Sequence, residues 1–101
     1  MMPNYSKIDN RLHHLYEIVD KEDDDVFKYG ISCESLGTDG LSSRMRKQIA
    51  FLNRLFEWPR FFGRIIKYDI PSKKIARTLE TKCIREYEHK YGRKPKGNVR
   101  Y

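Results

Sequence analysis

The chain has 101 residues, 39% of them hydrophobic and 35% charged, which leaves room for one small domain with one core and excludes a two-domain enzyme. No stretch approaches the roughly 20 consecutive apolar residues of a membrane-spanning helix, and the start, MMPNYSKIDNRLHH, lacks the apolar centre of a signal peptide, so a soluble chain with no membrane partner is expected. The net charge of +7 is lopsided: residues 1–50 hold seven Lys/Arg against nine Asp/Glu, a net of −2, and residues 51–101 hold fourteen against five, a net of +9. A half so basic concentrates polyanions, of which nucleic acid is the commonest.

In chain order, Leu12–Asp20 and Val26–Ser32 are rich in β-formers and flank the charged run KEDDD, which predicts a hairpin with a solvated acidic tip. A loop, SCESLGTDGLSS, leads to RMRKQIAFLNRLFEW, where Met45, Ile49, Leu52 and Phe56 form the stripe of an amphipathic helix with Ser42 or Ser43 as its cap. Pro59 lies beyond the end of that helix, and Arg60–Ile70 is an aromatic and branched run of strand type. Pro71 and Ser72 open a second helix with a stripe of Ile75, Leu79, Cys83 and Tyr87, joined by Ala76 and Ile84, and Gly92 stops it. The expected fold is a small α/β domain of order β-β-α-β-α, a three-stranded, mainly antiparallel sheet flanked by helices. It spans residues 1–101, with an N-terminal extension at 1–11 and a basic tail at 93–101. Cys33 and Cys83 are too few for a disulfide scaffold, so both are expected reduced, Cys83 at a core position and Cys33 in a loop.

No HExxH, CxxC or GxxxxGK[ST] motif is present. What stands out is polar residues where packing does not ask for them: Tyr16 and Lys28 within the first two strands, Arg44 in the first turn of the first helix, and Glu80 within the second. Glu80 lies four residues from both Ala76 and Ile84, beside the apolar stripe. A carboxylate there meets a cation, either a metal or an Arg at the edge of the stripe.

These residues carry a resemblance. LYEIV followed by FKYGIS resembles the paired signature strands of the GIY-YIG nuclease superfamily, and later landmarks fall in order: an Arg opening the first helix (SSRMRKQI), a Glu in the later helix (ARTLETKCI) and an Asn near the end (GNVRY). Within that superfamily the chain is most similar to URI-type nuclease domains of bacterial polymorphic toxins, which share the KYGIS strand, the helix start followed by LNR, and the GN-R ending. Tyr16 then matches the tyrosine of the first triplet, Arg44 the helix arginine, Glu80 the metal-binding glutamate and Asn98 the terminal asparagine. The chain departs from the pattern at His14, which stands at the first triplet's glycine, at Lys28, which precedes Tyr29 where a tyrosine is usual, and at Gln48, where several relatives keep a histidine.

The resemblance implies a GIY-YIG-like fold and an endonuclease that hydrolyses phosphodiester bonds, DNA before RNA. Tyr16 would be the general base, Lys28 a stabiliser of charge, and Arg44 a fork for phosphate oxygens. Glu80 would ligate one divalent cation, Mg²⁺ or alternatively Mn²⁺. Tyr29, Gln48 and Asn98 would support the site. Arg46, Lys47, Lys73, Lys74, Arg77, Arg93, Lys94, Lys96 and Arg100 would meet phosphates, with Trp58, Phe61 and Phe62 as stacking or core aromatics. Such a toxin acts in the cytoplasm after delivery from another bacterial cell and has a cognate immunity protein as partner. If Asp20 pairs with Val26 across the hairpin, Tyr16 and Lys28 share a face and Tyr29 points away, whereas a one-residue slip reverses that. Two rivals remain: a non-catalytic basic nucleic-acid-binding module, in which the same residues merely pack, and a basic protein that binds only a protein partner.

Overall fold

The computed structural model describes residues 11–98. The elements are β1 (His13–Asp20), β2 (Asp25–Ser32), α1 (Ser43–Phe56), β3 (Phe61–Ile70) and α2 (Lys73–Tyr91), in the expected β-β-α-β-α order. The sheet is antiparallel with strand order β2-β1-β3, so β1 is central and every one of its eight residues is buried.

Alternation along β1 sorts the core into two layers. Tyr16 and Ile18 face α1 and cluster with Met45 and Phe61, while Leu15 faces α2 and clusters with Ile31, Ile70 and Ala76. On α1 the expected stripe holds at Met45, Ile49 and Leu52, but Phe56 is left 42% exposed as the helix runs off the sheet. The expected stripe of α2 holds except at its start: Ala76, Ile84 and Tyr87 are buried, Leu79 and Cys83 pack against the Leu15 cluster, and Ile75 is exposed. Glu80, four residues from both Ala76 and Ile84, lies on the inner side of the helix, as its spacing predicts.

Both helices are punctuated by local chemistry. The Ser42 hydroxyl accepts from the Met45 N–H at 3.2 Å, and the Ser72 hydroxyl accepts from the Ile75 N–H at the same distance. Gly92 closes α2 in the left-handed conformation at φ 75°. No helix among the described residues is long and apolar enough to cross a membrane.

The hairpin register is split by a bulge. Tyr16 pairs with Gly30 and Ile18 with Lys28, the register that an Asp20 to Val26 pairing would continue, but beyond the bulge Val19 pairs with Val26 and Asp20 with Asp25. Phe27 is the extra residue and enters the α1 layer of the core.

The acidic tip is solvated, as its composition predicts, with residues 21–24 exposed, and it is anchored from both sides. Asp20 is 4% exposed and takes two hydrogen bonds of 2.7 Å from the Arg60 guanidinium, which also pairs with Glu22 and Asp23. Asp25 accepts from the Tyr87 hydroxyl at 2.5 Å and from Arg93 at 2.8 Å, and Lys96 reaches Asp23 at 3.3 Å. Five successive charges remain at a surface turn because long-range cations neutralise most of them.

Those contacts also hold the tail along the outer edge of β2. The Gly97 N–H donates to the Phe27 carbonyl at 2.7 Å, and the Asn98 side chain accepts from the Tyr29 N–H at 2.8 Å and donates to the Tyr29 carbonyl at 2.9 Å. A methyl group at Gly97 would lie 2.6 Å from the Phe27 ring, so only glycine lets the tail approach this closely.

Candidate active site

Four elements converge on a cavity of about 740 Å³. β1 contributes Tyr16 and His13, and β2 contributes Lys28 and Gly30. The first two turns of α1 supply Arg44, Lys47 and Gln48, and the inner side of α2 supplies Lys73, Arg77 and Glu80, with Asn98 at the rim formed by the tail. The wall holds six Lys/Arg side chains and two carboxylates, Glu34 and Glu80, so its potential suits an anion.

Tyr16 forms the floor and is wholly shielded from water. Its ring lies against Gly30 across the hairpin so closely that a Cβ at Gly30 would fall within contact distance of Tyr16 Cζ and Oη. The glycine of the KYGIS strand is therefore required by the tyrosine opposite it. The Tyr16 hydroxyl donates to Gln48 Oε1 at 3.1 Å. Burial raises the Tyr16 pKa above its ordinary value of 10.0, opposed by the Arg44 charge and by the bond to Gln48.

The remaining charges form a coupled set. Burial raises the pKa of Glu80, while Arg77, Lys28 and Arg44 counter it. Burial lowers that of Lys28, as does Arg44, and Glu80 counters both. Of the two cavity carboxylates Glu34 is engaged by the Arg44 N–H, which leaves Glu80 as the candidate metal ligand, and no group of three or more His, Cys, Asp or Glu is placed to hold an ion among the described residues. Glu80 alone among cations suits Mg²⁺, which keeps most of its waters and is completed by substrate phosphate, better than a caged metal.

The sequence-derived residues divide clearly. Tyr16, Lys28, Arg44, Gln48, Glu80 and Asn98 line the cavity, and so do Lys47, Lys73 and Arg77. Tyr29 does not: it faces a second hollow with Cys83, Tyr87 and Tyr91, and only its backbone, held by Asn98, takes part in bracing the site. Arg46 is drawn to Asp39 at 2.8 Å, and Arg93 and Lys96 are bound to the acidic turn, so these three are neutralised instead of offering free charge to phosphate. Lys74 lies on an outer surface with Thr78 and Arg85, Lys94 is partly buried in the tail, and Arg100 lies outside the described residues. Phe61 is core, packed edge-on to Phe27 at 5.2 Å, whereas Trp58 and Phe62 are exposed.

Sequence reasoning missed His13 and Glu34. Glu34 accepts from the Arg44 N–H at 2.7 Å, tying the loop to the first turn of α1, and nothing in its loop context signalled this. His14, at the first triplet's glycine position, is buried with its ring 6.4 Å from that of Tyr16, and its Nε2 lacks a hydrogen-bond partner among the described residues. Burial holds its pKa below the ordinary value, with His13 adding to the effect. Cys33 lines the cavity and Cys83 packs beside the Leu15 cluster, both as free thiols.

No curated protein and no solved structure matches the chain. The model of the URI fold toxin 2 family matches residues 6–92, which takes in all five elements and every cavity residue except those of the tail. The chain therefore belongs to the URI fold toxin 2 family.

Proposed function

We propose that this toxin domain is a GIY-YIG-type endonuclease that hydrolyses phosphodiester bonds, DNA first among its substrates, with one divalent cation held by Glu80. The observation that carries the reading is that a phenol, an ammonium, a guanidinium and a carboxylate, from four elements spread over residues 16–80, line one cavity with a cationic wall. Core packing alone gives no reason to gather these four.

In this reading Arg44, exposed at the start of α1, swings its fork onto the non-bridging oxygens of the scissile phosphate, and Lys28 adds positive charge from the strand opposite. That movement clears the way to Tyr16, which in its ionised form takes the proton of the attacking water, while Gln48 orients the phenol. Mg²⁺, when bound, would supply Lewis-acid stabilisation of the phosphorane charge. Lys47, Lys73 and Arg77 hold the flanking phosphates, so binding weakens as salt rises. As a toxin the domain would act in the cytoplasm of a recipient bacterium and be restrained in its producer by an immunity protein, for which an acidic surface fits the cavity.

The test is incubation of the purified protein with plasmid DNA and Mg²⁺, beside Glu80→Gln and beside an RNA substrate. Nicking by the native protein that Glu80→Gln loses supports the reading. Equal nicking by both, or none by either with Mg²⁺ or Mn²⁺, removes it. The complete burial of Tyr16 favours one rival, a catalytically silent nucleic-acid binder, which predicts salt-dependent binding without nicking.

A further inference from the structure

Helix α1 carries a second stripe, turned away from the sheet, that begins in the cavity and runs out of it. Lys47 lines the cavity, Phe51 and Leu55 follow at successive steps of four residues, and Arg54 flanks Leu55. Met45, Ile49 and Leu52 occupy the core-facing side, so Phe51 and Leu55 are not core residues at the edge of their layer. They are 60% and 63% exposed, and Trp58, just beyond the end of the helix, is 42% exposed. A contiguous apolar strip left in water on a small domain marks an interaction surface. The two cations along it, Lys47 and Arg54, make no side-chain hydrogen bond or ion pair among the described residues, unlike Arg46 on the same helix, which is held by Asp39.

We infer that this stripe is a track for an unpaired nucleic-acid strand leaving the cavity, with Phe51 stacking on a base and Lys47 and Arg54 meeting the phosphates on either side. Three observations select this occupant over a protein. The stripe is continuous with the cationic cavity, its flanking charges are both positive, and ring and cation follow each other at one-turn intervals, the combination that binds single strands without sequence preference. A duplex keeps its base faces inside the stack and has nothing to offer Phe51. The inference rests on the nucleic-acid part of the function proposed above and narrows the substrate to strands unpaired beside the cut: single strands, frayed ends or flaps.

The test is fluorescence anisotropy without divalent metal, using a labelled oligodeoxythymidine and a labelled blunt duplex, on the native protein, Phe51→Ala and Phe51→Trp. Phe51 is exposed, so both variants should fold, which circular dichroism checks. Phe51→Ala is expected to weaken single-strand binding about 5- to 150-fold, the equivalent of one lost base stack, to change duplex binding less than about twofold, and to be rescued by Phe51→Trp. Unchanged single-strand affinity in Phe51→Ala overturns the track, as does an equal loss for strand and duplex. So does a variant impaired only in binding an acidic protein inhibitor, which would make the stripe a protein interface. Native nicking that depends on Glu80 alongside unchanged Phe51→Ala affinity removes the track and leaves the nuclease. Absent nicking alongside weakened single-strand binding does the reverse.

Discussion

Replacing Gly30 by alanine puts a methyl carbon within contact distance of Tyr16 Cζ and Oη and 2.9 Å from Cε1. Carbon atoms settle at about 3.5–4.0 Å, so either the ring gives by about 1 Å or the two strands part. The ring has little freedom: it is wholly buried, packed with Ile18 and Met45, and its hydroxyl is tied to Gln48. Overpacking of a filled core costs about 1–3 kcal/mol, and losing the Tyr16–Gln48 bond about 0.5–1.5 kcal/mol more, so Gly30→Ala should destabilise by about 1.5–4.5 kcal/mol. At about 4–8 °C per kcal/mol for a domain of this size, Tm should fall by roughly 6–36 °C. Urea denaturation followed by circular dichroism measures the loss, and Tyr16→Phe adds the decisive arm. Without Oη the added methyl has one fewer atom to displace, so the Gly30→Ala penalty should shrink by about 1 kcal/mol in that background. A Gly30→Ala protein within about 0.5 kcal/mol of native, or strictly additive single and double variants, would refute the claim that the glycine exists to receive the tyrosine.

Asn98→Ala leaves the Tyr29 N–H and C=O without their side-chain partner and should cost about 1–3 kcal/mol in urea, less than two dry hydrogen bonds because water reaches an edge strand. The folded-state pKa values of Asp20 and Asp25 lie below the ordinary 3.8, the first through the Arg60 bonds and the second through Tyr87 and Arg93 against an opposing burial effect. Their stabilisation is accordingly complete above about pH 4 and lost as pH falls through the lower folded values; a thermal melt series down to pH 2 should show a steep acid decline that Asp20→Asn flattens, and parallel curves would count against the clamp. If ionised Tyr16 is the base, cleavage should keep rising past pH 10 without a plateau below it, since burial raises its pKa, and Tyr16→Phe should abolish that alkaline limb.

Much of the architecture was readable because its determinants are local. Ser72 and Gly92 punctuate α2 by their own backbone chemistry, and the alternation of β1 and β2 put Tyr16 and Lys28 on one face. The bulge at Phe27 was not readable, since nothing between Val26 and Lys28 announces an extra residue, although it leaves the register at Tyr16 untouched. The acidic turn was readable as a solvated tip, but its partners, Arg60, Arg93 and Lys96, were not, because they are distant in the chain. The same pairings explain why a list of basic residues overstates the charge available to phosphate. Asn98 entered through family resemblance; its contact with Tyr29, 69 residues away, has no local signature. The inward position of Glu80 was readable from its spacing to Ala76 and Ile84, whereas the exposure of Ile75 was not, because the sheet and not the helix decides which first-turn residue it covers.

The clasp of Gly97 and Asn98 on β2 has a consequence for biogenesis. A polypeptide leaves the ribosome N-terminus first, so the hairpin bearing Tyr16 and Lys28 is available early, yet its outer rim stays unsealed until the tail has emerged. Within this domain the cavity therefore stays incomplete until Gly97 and Asn98 have joined the hairpin.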